Sequence, residues 1–370
     1  MNDKFVERQT ALAKLLKANG IEVAAIVPGA NFYYYSGVRL HLMERPTLLF
    51  ITGNMQTFAI IPELERSVWS AAMPQTTTFY WQDSDGYEDA FAAALKEIGA
   101  ATFGIEGQRM RAFEMLALRK HLSDNAIQDA QSVLSGPRLN KSGAEIELLE
   151  RAIEITETSL HETLEVIRTG MSELEIKSIL VQRMHANGAD DLAFEPIVLA
   201  GPNSANPHGH AGEHRLAPGE PLLFDFGASY GGYNADITRT VFCEYASEEH
   251  ELFYNTVLAA NALGREISAP GLTCDDLDNR VTDVLRASPF AKFVVHKTGH
   301  GLGLDVHEAP QVMAGNFTAL EDGMVITIEP GLYKSGDIGV RVEDDVLITP
   351  EGARSLTGFP REIQFVGGAA

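Results

Sequence analysis

Apolar positions change their period several times along the chain, and each change marks an element. Near the start they recur at helical spacing, with Leu12, Leu15 and Leu16 on one side, which predicts an amphipathic helix. A largely apolar run over residues 21–27 (IEVAAIV) predicts a buried strand. Two short apolar runs, 47–52 and 57–61, flank Gly53-Asn54, which is a hairpin signal. Helical spacing over 63–72 gives way to a strand at 77–81, a helix at 87–98, a strand at 101–105 and a helix at 109–122. Strands alternating with helices predict a small α/β domain. No site is legible in it. Tyr33–Tyr35 read as packing residues, Glu44-Arg45-Pro46 as a loop or a site entrance, and Gly107 stands alone, so there is no glycine-rich phosphate cradle.

Periodicity lapses over 135–143 (SGPRLNKSG), which predicts a boundary between domains at 1–134 and 135–370. Ser142 and Glu145 then form a capping-box pattern ahead of a long helix at 144–168. Ser172 and Glu175 repeat it ahead of a second helix reaching about Asn187. Beyond lie two β-ribbons. In FDFGASYGGYNADITRTVF, a turn at Gly231-Gly232 sets Asp225 opposite Thr238, and Asp236 shares the face of Thr238. In the second, a turn centred on Gly336 sets Glu329 opposite Glu343. Two ribbons presenting paired carboxylates look like halves of a duplicated architecture.

Charge narrows the function. The 370 residues hold 51 acidic and 29 basic side chains, a net charge of −22. Such a chain is a poor partner for nucleic acid or an anionic membrane, and a cytoplasmic location is expected. The first residues lack a signal-peptide core, and no run of about 18 apolar residues predicts a membrane span. Cys243 and Cys274 are too few for a disulfide framework or a thiolate metal site, and Cys243 reads as a packed thiol. Arg239 reads as structural. His121, His161, His185 and His250 read as surface residues.

A lone aspartate in a hairpin is ordinary turn chemistry. The combination is what points to a metal. Asp225, Asp236, Glu329 and Glu343 supply four carboxylates, and His300, within TGHGLGLDVHE, supplies an imidazole. This donor set suits hard or borderline divalent ions such as Mn²⁺, Co²⁺, Fe²⁺ or Zn²⁺. Four negative charges match two dications, and a pair of ions about 3.5–4 Å apart with a bridging water is a hydrolytic arrangement. The lack of a His-Glu-x-x-His run argues against a single-zinc protease of that type.

DFG…NADITRT, GHGLGLDVHE, TIEPG and VRVEDD together resemble the M24-type metallopeptidases: Xaa-Pro dipeptidases (prolidases), aminopeptidase P and methionine aminopeptidase. The resemblance runs from about residue 135 to the end. It implies a mixed α/β (α+β) protein, with a creatinase-like N-terminal α/β domain and a pita-bread catalytic domain of two pseudo-symmetric halves. It implies two divalent ions, manganese first. Asp225 would bind one ion, His300 and Glu329 the other, and Asp236 and Glu343 would bridge. Among the histidines of PHGHAGEH, His208 matches one near the substrate, with His210 and His214 as alternatives. His296 resembles a contact to the proline side, and His307 a ligand of the scissile carbonyl or tetrahedral intermediate. Arg341 resembles an arginine that orients the bridging carboxylates. Glu329 would also relay the proton of the attacking water. Lys297 stands where many relatives have glycine.

The implied activity is metal-dependent hydrolysis of Xaa-Pro bonds in small peptides with proline second, by attack of the bridging hydroxide. An N-terminal domain of about 135 residues favours the prolidase side over methionine removal. Dipeptidase action is preferred, with aminopeptidase P action, or a metal-dependent lyase on the same fold, as alternatives. Creatinase-like relatives and non-enzymatic pita-bread modules lack the ligands present here. A dipeptidase must neutralise a free carboxylate, for which Arg45, reaching from a neighbouring subunit, is a candidate. The family tends toward homodimers, and a homodimer is expected.

Overall fold

The computed structural model describes residues 3–368. The chain divides into two compact units, Met1–Arg138 and Leu139–Ala370.

The first unit is built on one six-stranded sheet, in the order Thr77–Trp81, Thr57–Pro62, Leu48–Thr52, Val23–Ile26, Phe103–Ile105, Ile127–Asp129. Val23–Ile26 and Leu48–Thr52 are buried at every position, as unbroken apolar runs require. The helix Asp3–Ala18 buries Leu12 and Leu16. The aromatic run is helical, Ala30–Ser36, and Gly37 ends it in the left-handed conformation. Its tyrosines pack as expected: Tyr35 is buried and its hydroxyl donates to the Leu134 carbonyl at 2.7 Å. Arg45 is committed to two carboxylates, Asp83 at 2.7 Å and Glu44 at 2.5 Å.

In the second unit, helix Gly143–Val166 and helix Glu173–Ala186 each begin at a complete capping box. They cover a four-stranded sheet ordered Phe365–Val366, Ile237–Cys243, Pro221–Phe226, Ile197–Ala200. Helices Glu248–Ile267 and Cys274–Arg286 cover a five-stranded sheet ordered Glu308–Val312, Gly299–Gly301, Val325–Ile328, Asp344–Thr349, Gly352–Ser355. Two helices followed by a long antiparallel ribbon thus occur twice, which is the duplication anticipated from the paired carboxylates.

Both ribbons keep the registers read from their turns. Thr238 faces Asp225 in the first, and Tyr230 faces Tyr233 around Gly231-Gly232, whose φ angles of 58° and 92° need glycine. In the second, Ile328 faces Asp344 and Gly331 faces Arg341, so Glu329 and Glu343 sit opposite each other where the ladder is interrupted. The ribbons are tied together there: the Glu343 amide donates to the Thr238 carbonyl at 3.1 Å.

Ile237–Cys243 is buried along its whole length although Thr238, Arg239 and Thr240 are polar. Each finds its partner on the other ribbon. Arg239 pairs with Asp344 at 2.8 Å, and the Thr240 hydroxyl donates to the Arg341 carbonyl at 3.1 Å. Arg361 also binds Asp344, at 2.8 Å, so this buried aspartate is compensated from two sides. Cys243 is buried, and His121, His161 and His185 are exposed. His250 departs from the surface reading. It is half-buried, stacked on Phe242 with ring centroids 6.0 Å apart and 3.4 Å from Asp337.

The second capping box gives a test of local stability. Ser172→Ala removes the side chain that accepts from the Glu175 amide. It is expected to cost about 1 kcal/mol, read as a lower denaturation midpoint by circular dichroism. An unchanged midpoint would show that this helix start is held by tertiary packing alone.

Candidate metal centre

Three stretches deliver the metal-type side chains to one place. Asp225 comes from the end of Pro221–Phe226, and Asp236 immediately precedes Ile237–Cys243. His300 is the middle residue of Gly299–Gly301, and Glu329 and Glu343 flank the break in the second ribbon. Donor atoms of Asp225, Asp236 and Glu343 lie within 4.8 Å of one another, as do those of His300, Glu329 and Glu343. Glu343 belongs to both groups. A third such group joins Asp236, His300 and His307.

His300 shows how the backbone sets a ligand. Its Nδ1–H donates to the Gly301 carbonyl at 3.0 Å, which leaves Nε2 as the lone-pair nitrogen. That Nε2 faces Glu329 Oε1 at 3.4 Å and Asp236 Oδ2 at 3.7 Å. The flanking glycines permit this close packing. A Cβ on Gly299 would meet the Thr327 carbonyl, and one on Gly301 the Ala309 carbonyl. Burial, then the neighbouring His307, lowers the His300 pKa to about 3, so the ring is neutral and fit to ligate.

The carboxylates are the counterpart. Burial pushes Asp236 and Glu343 well above the ordinary range, and repulsion adds to it: Glu343 and Asp225 act on Asp236, Glu329 and Asp225 on Glu343. Glu329 is pushed up to about 7 by burial, with Arg341 opposing. The Oε1 of Glu343 is buried and has no hydrogen-bond partner. A crowded set of acids, an orphaned carboxylate oxygen and an imidazole lone pair aimed at the same spot fit divalent cations.

Arg341 is buried and uses all three of its nitrogens. Nη2 pairs with Asp225, Nε donates to the Thr238 hydroxyl at 2.9 Å, and Nη1 donates to the Tyr333 hydroxyl at 2.5 Å. Thr238 passes the contact on, donating to Glu343 Oε2 at 2.5 Å. Arg341 therefore grips Asp225 directly and reaches Glu343 only through Thr238, and no bond joins it to Asp236. Tyr333 extends the chain: its hydroxyl lies 2.9 Å from His296 Nε2, and His296 Nδ1 lies 2.7 Å from the Lys297 carbonyl. A carbonyl only accepts, so Nδ1 carries the hydrogen and Nε2 accepts from Tyr333. Burial, then Arg341, lowers His296 to about 4, which keeps it neutral.

A cavity of about 470 Å³ opens onto this centre. All the sequence-predicted site residues line it: Asp225, Asp236, His300, Glu329, Glu343, His208, His296, His307 and Arg341. His208 and His307 stand at its exposed rim. His210 does not line it, and His214 instead pairs with Glu220 at 3.0 Å, so His208 is the one of the three at the cavity. Sequence reading missed Thr238 and Tyr333 as polar links, and Phe194, Ile197, Pro207 and Val306 as the apolar wall. Tyr333 was within reach of the register, because it lies one diagonal step from Arg341 on the same ribbon. The apolar wall had no local signal.

The sequence matches the Metallopeptidase family M24 over residues 147–350 and the Creatinase/Prolidase N-terminal domain over residues 8–139. It is 33% identical over 358 residues to the Xaa-Pro dipeptidase of Pyrococcus furiosus, covering 96% of this chain and 99% of that one. The structure is similar to that of a recombinant prolidase from Thermococcus sibiricus, with a TM-score of 0.92, 32% identity and coverage of 98% and 99% of the two chains. It is also similar to an X-Pro aminopeptidase from Thermotoga maritima, with a TM-score of 0.85, 30% identity and coverage of 97% and 99%. With the ribbon carboxylates, the glycine-flanked His300 and these full-length similarities in place, the chain belongs to metallopeptidase family M24 and carries its Creatinase/Prolidase N-terminal domain.

Proposed function

We propose that this protein is a dinuclear metallo-exopeptidase that hydrolyses Xaa-Pro dipeptides. The observation that supports this best is the convergence of Asp225, Asp236, His300, Glu329 and Glu343 on one cavity, in a chain whose full-length relatives include Xaa-Pro dipeptidases. In this reading Asp225 would hold one ion and His300 with Glu329 the other, with Asp236 and Glu343 shared between the two. Two divalent ions bound there supply Lewis acidity, polarising the scissile carbonyl and making hydroxide available near neutral pH.

The chain's own residues do the rest. Glu329, the acid beside both the His300 imidazole and the cavity, takes the proton of the attacking water and delivers it to the leaving proline nitrogen. That nitrogen bears no hydrogen in the Xaa-Pro bond and must gain one to leave as an amine. His307, at the rim, steadies the carbonyl oxygen as it gains negative charge and the carbonyl carbon becomes tetrahedral. His296 has both ring nitrogens engaged, so it meets the proline side with ring carbons. His208, also at the rim, contacts the substrate there. Arg341, through Asp225 and Thr238, fixes the carboxylates before anything binds.

Similarity to an X-Pro aminopeptidase supports a second reading, in which the first residue is removed from longer Xaa-Pro peptides. The proposed working form is a cytoplasmic homodimer loaded with manganese. The oxygen-rich donor set supports the metal, the acidic composition the location, and the family resemblance the dimer. Among the described residues no helix is long and apolar enough to cross a membrane.

Hydrolysis of Ala-Pro, Ala-Pro-Ala and Met-Ala-Ser by metal-stripped protein refilled with Mn²⁺, Co²⁺ or Zn²⁺ tests the reading. Metal-dependent cleavage of Ala-Pro alone is expected. Preference for Ala-Pro-Ala would transfer the assignment to aminopeptidase P, and no cleavage with two ions bound would point to a non-peptide substrate. Asp236→Ala and Glu343→Ala are expected to lose bound metal and turnover together, by mass spectrometry and rate. His307→Ala should keep the metal and lose about 10²–10³-fold in kcat. Full metal content and turnover in Asp236→Ala would overturn the ligand set.

A pH effect follows for the stripped protein. Glu329 in the fold holds its proton up to about 7, whereas in the unfolded chain it ionises near 4.5. Between those values the folded state binds more protons, so stability falls as pH rises. His296 and His300, held neutral by the fold down to about 4 and about 3, act in the opposite sense, so the Glu329 contribution is read as a difference: the melting temperature of stripped Glu329→Gln relative to stripped wild type should rise from about pH 5 to about pH 7. A difference that stayed flat or fell across that interval would contradict the assignment of Glu329 as a buried acid.

A further inference from the structure

A dipeptide differs from a longer peptide at the far side of the scissile bond, where it carries a free carboxylate instead of an amide. Discriminating between them calls for a cation placed in the cavity and not already neutralised. Two cations line this cavity, Arg341 and Lys297. Arg341 is buried, its charge is already paired with Asp225, and three of its five N–H donors bind Asp225, Thr238 and Tyr333. Lys297 is different. Its ammonium bonds the amide oxygen of Gln311, a neutral partner, and no carboxylate pairs with it among the described residues. An ammonium has three donors, so two remain for a ligand.

Lys297 is also well fixed. Its carbonyl accepts the Nδ1–H of His296, and the next amide, that of Thr298, donates to Asp278 at 2.8 Å. Gln311 is held too: its Nε2 donates to the Glu308 carbonyl at 3.0 Å, which turns its oxygen toward Lys297. Gln311 pairs across the strands with His300, so the lysine–glutamine couple sits on the same ladder as a metal-type ligand. Phe194, Ile197 and Pro207 give the same cavity an apolar wall that suits a pyrrolidine ring.

We propose that Lys297, held by Gln311, is the specificity residue that receives the C-terminal carboxylate of an Xaa-Pro dipeptide. This rests on the Xaa-Pro reading above and deepens it. Arg45 is not needed for the task, since its guanidinium already binds Asp83 and Glu44.

The test compares Ala-Pro with Ala-Pro-amide on the metal-loaded enzyme, alongside calorimetric binding of L-proline and L-prolinamide. Wild type should prefer Ala-Pro by about 10–100-fold in kcat/KM, chiefly through KM, as a charge-assisted contact would give. Lys297→Met should bring the two substrates within about 3-fold and weaken proline binding about 10–100-fold while leaving prolinamide unchanged. Lys297→Arg should restore most of the preference. A merely structural lysine would lower both substrates equally, and that result, or equal binding of proline and prolinamide to wild type, overturns the proposal. If the loaded enzyme cleaves neither substrate, the Xaa-Pro reading fails on its own. Lys297 is then judged by binding alone: a preference for proline over prolinamide that Lys297→Met abolishes supports it, and no such preference overturns it. Should Lys297→Met not fold, Lys297→Gln carries the same expectations.

Discussion

Four acidic side chains converging in a buried pocket are the constraint on which the second unit depends. Burial and mutual repulsion push Asp236, Glu329 and Glu343 upward together, so the fold without cations works against itself at this spot. The arrangement persists because the acids are held by structure on every side. Glu343 is tied to the first ribbon through both its amide and its side chain, and Asp225 is gripped by Arg341. The two ribbons therefore cannot slide without breaking the Thr238 link. A one-residue slip would also turn Asp225 and Glu329 to the opposite faces. Register and metal chemistry are one and the same requirement here.

Arg341 donates both ways along a polar chain, to Asp225 on one side and, on the other, to Tyr333, which donates to His296, which donates to the Lys297 carbonyl. Each member is neutral or compensated, which is how a buried network avoids the cost of unpaired groups. Its effect is to present His296 as an uncharged ring. A protonated His296 would add repulsion beside Arg341 and beside any bound cations. Tyr333, its own pKa raised to about 12 by burial, remains a hydroxyl that can accept from one side and donate to the other.

Much of this was legible in the sequence because short-range rules apply to it. Two capping boxes, the Gly231-Gly232 turn and the turn at Gly336 fix helix starts and ribbon registers within a few residues, and the registers alone pair Asp225 with Thr238 and Glu329 with Glu343. The aromatic stretch at Tyr33–Tyr35 showed packing without showing that it was helical, because aromatic residues serve strands and buried helices alike. The polar run Thr238–Thr240 hid a fully buried strand, because its partners lie about a hundred residues away on the other ribbon. Phe194 and Val306 reach the cavity from loops, and loop placement is set by tertiary packing that no local pattern encodes.

Charge balance links the specificity proposal to the metal proposal. Two dications bound as proposed would cancel the four carboxylates and leave the positive charges of Arg341 and Lys297 in the same cavity. The reaction brings two negative charges to meet them, a hydroxide nucleophile and the carboxylate of a dipeptide. A longer peptide or an amide brings only the first, and leaves the Lys297 ammonium in the cavity without a counter-charge. On this proposal Lys297 favours the dipeptide by attracting its carboxylate, through the ammonium donors that Gln311 leaves open. Selectivity of this kind comes from electrostatics and needs no steric wall beyond the second residue.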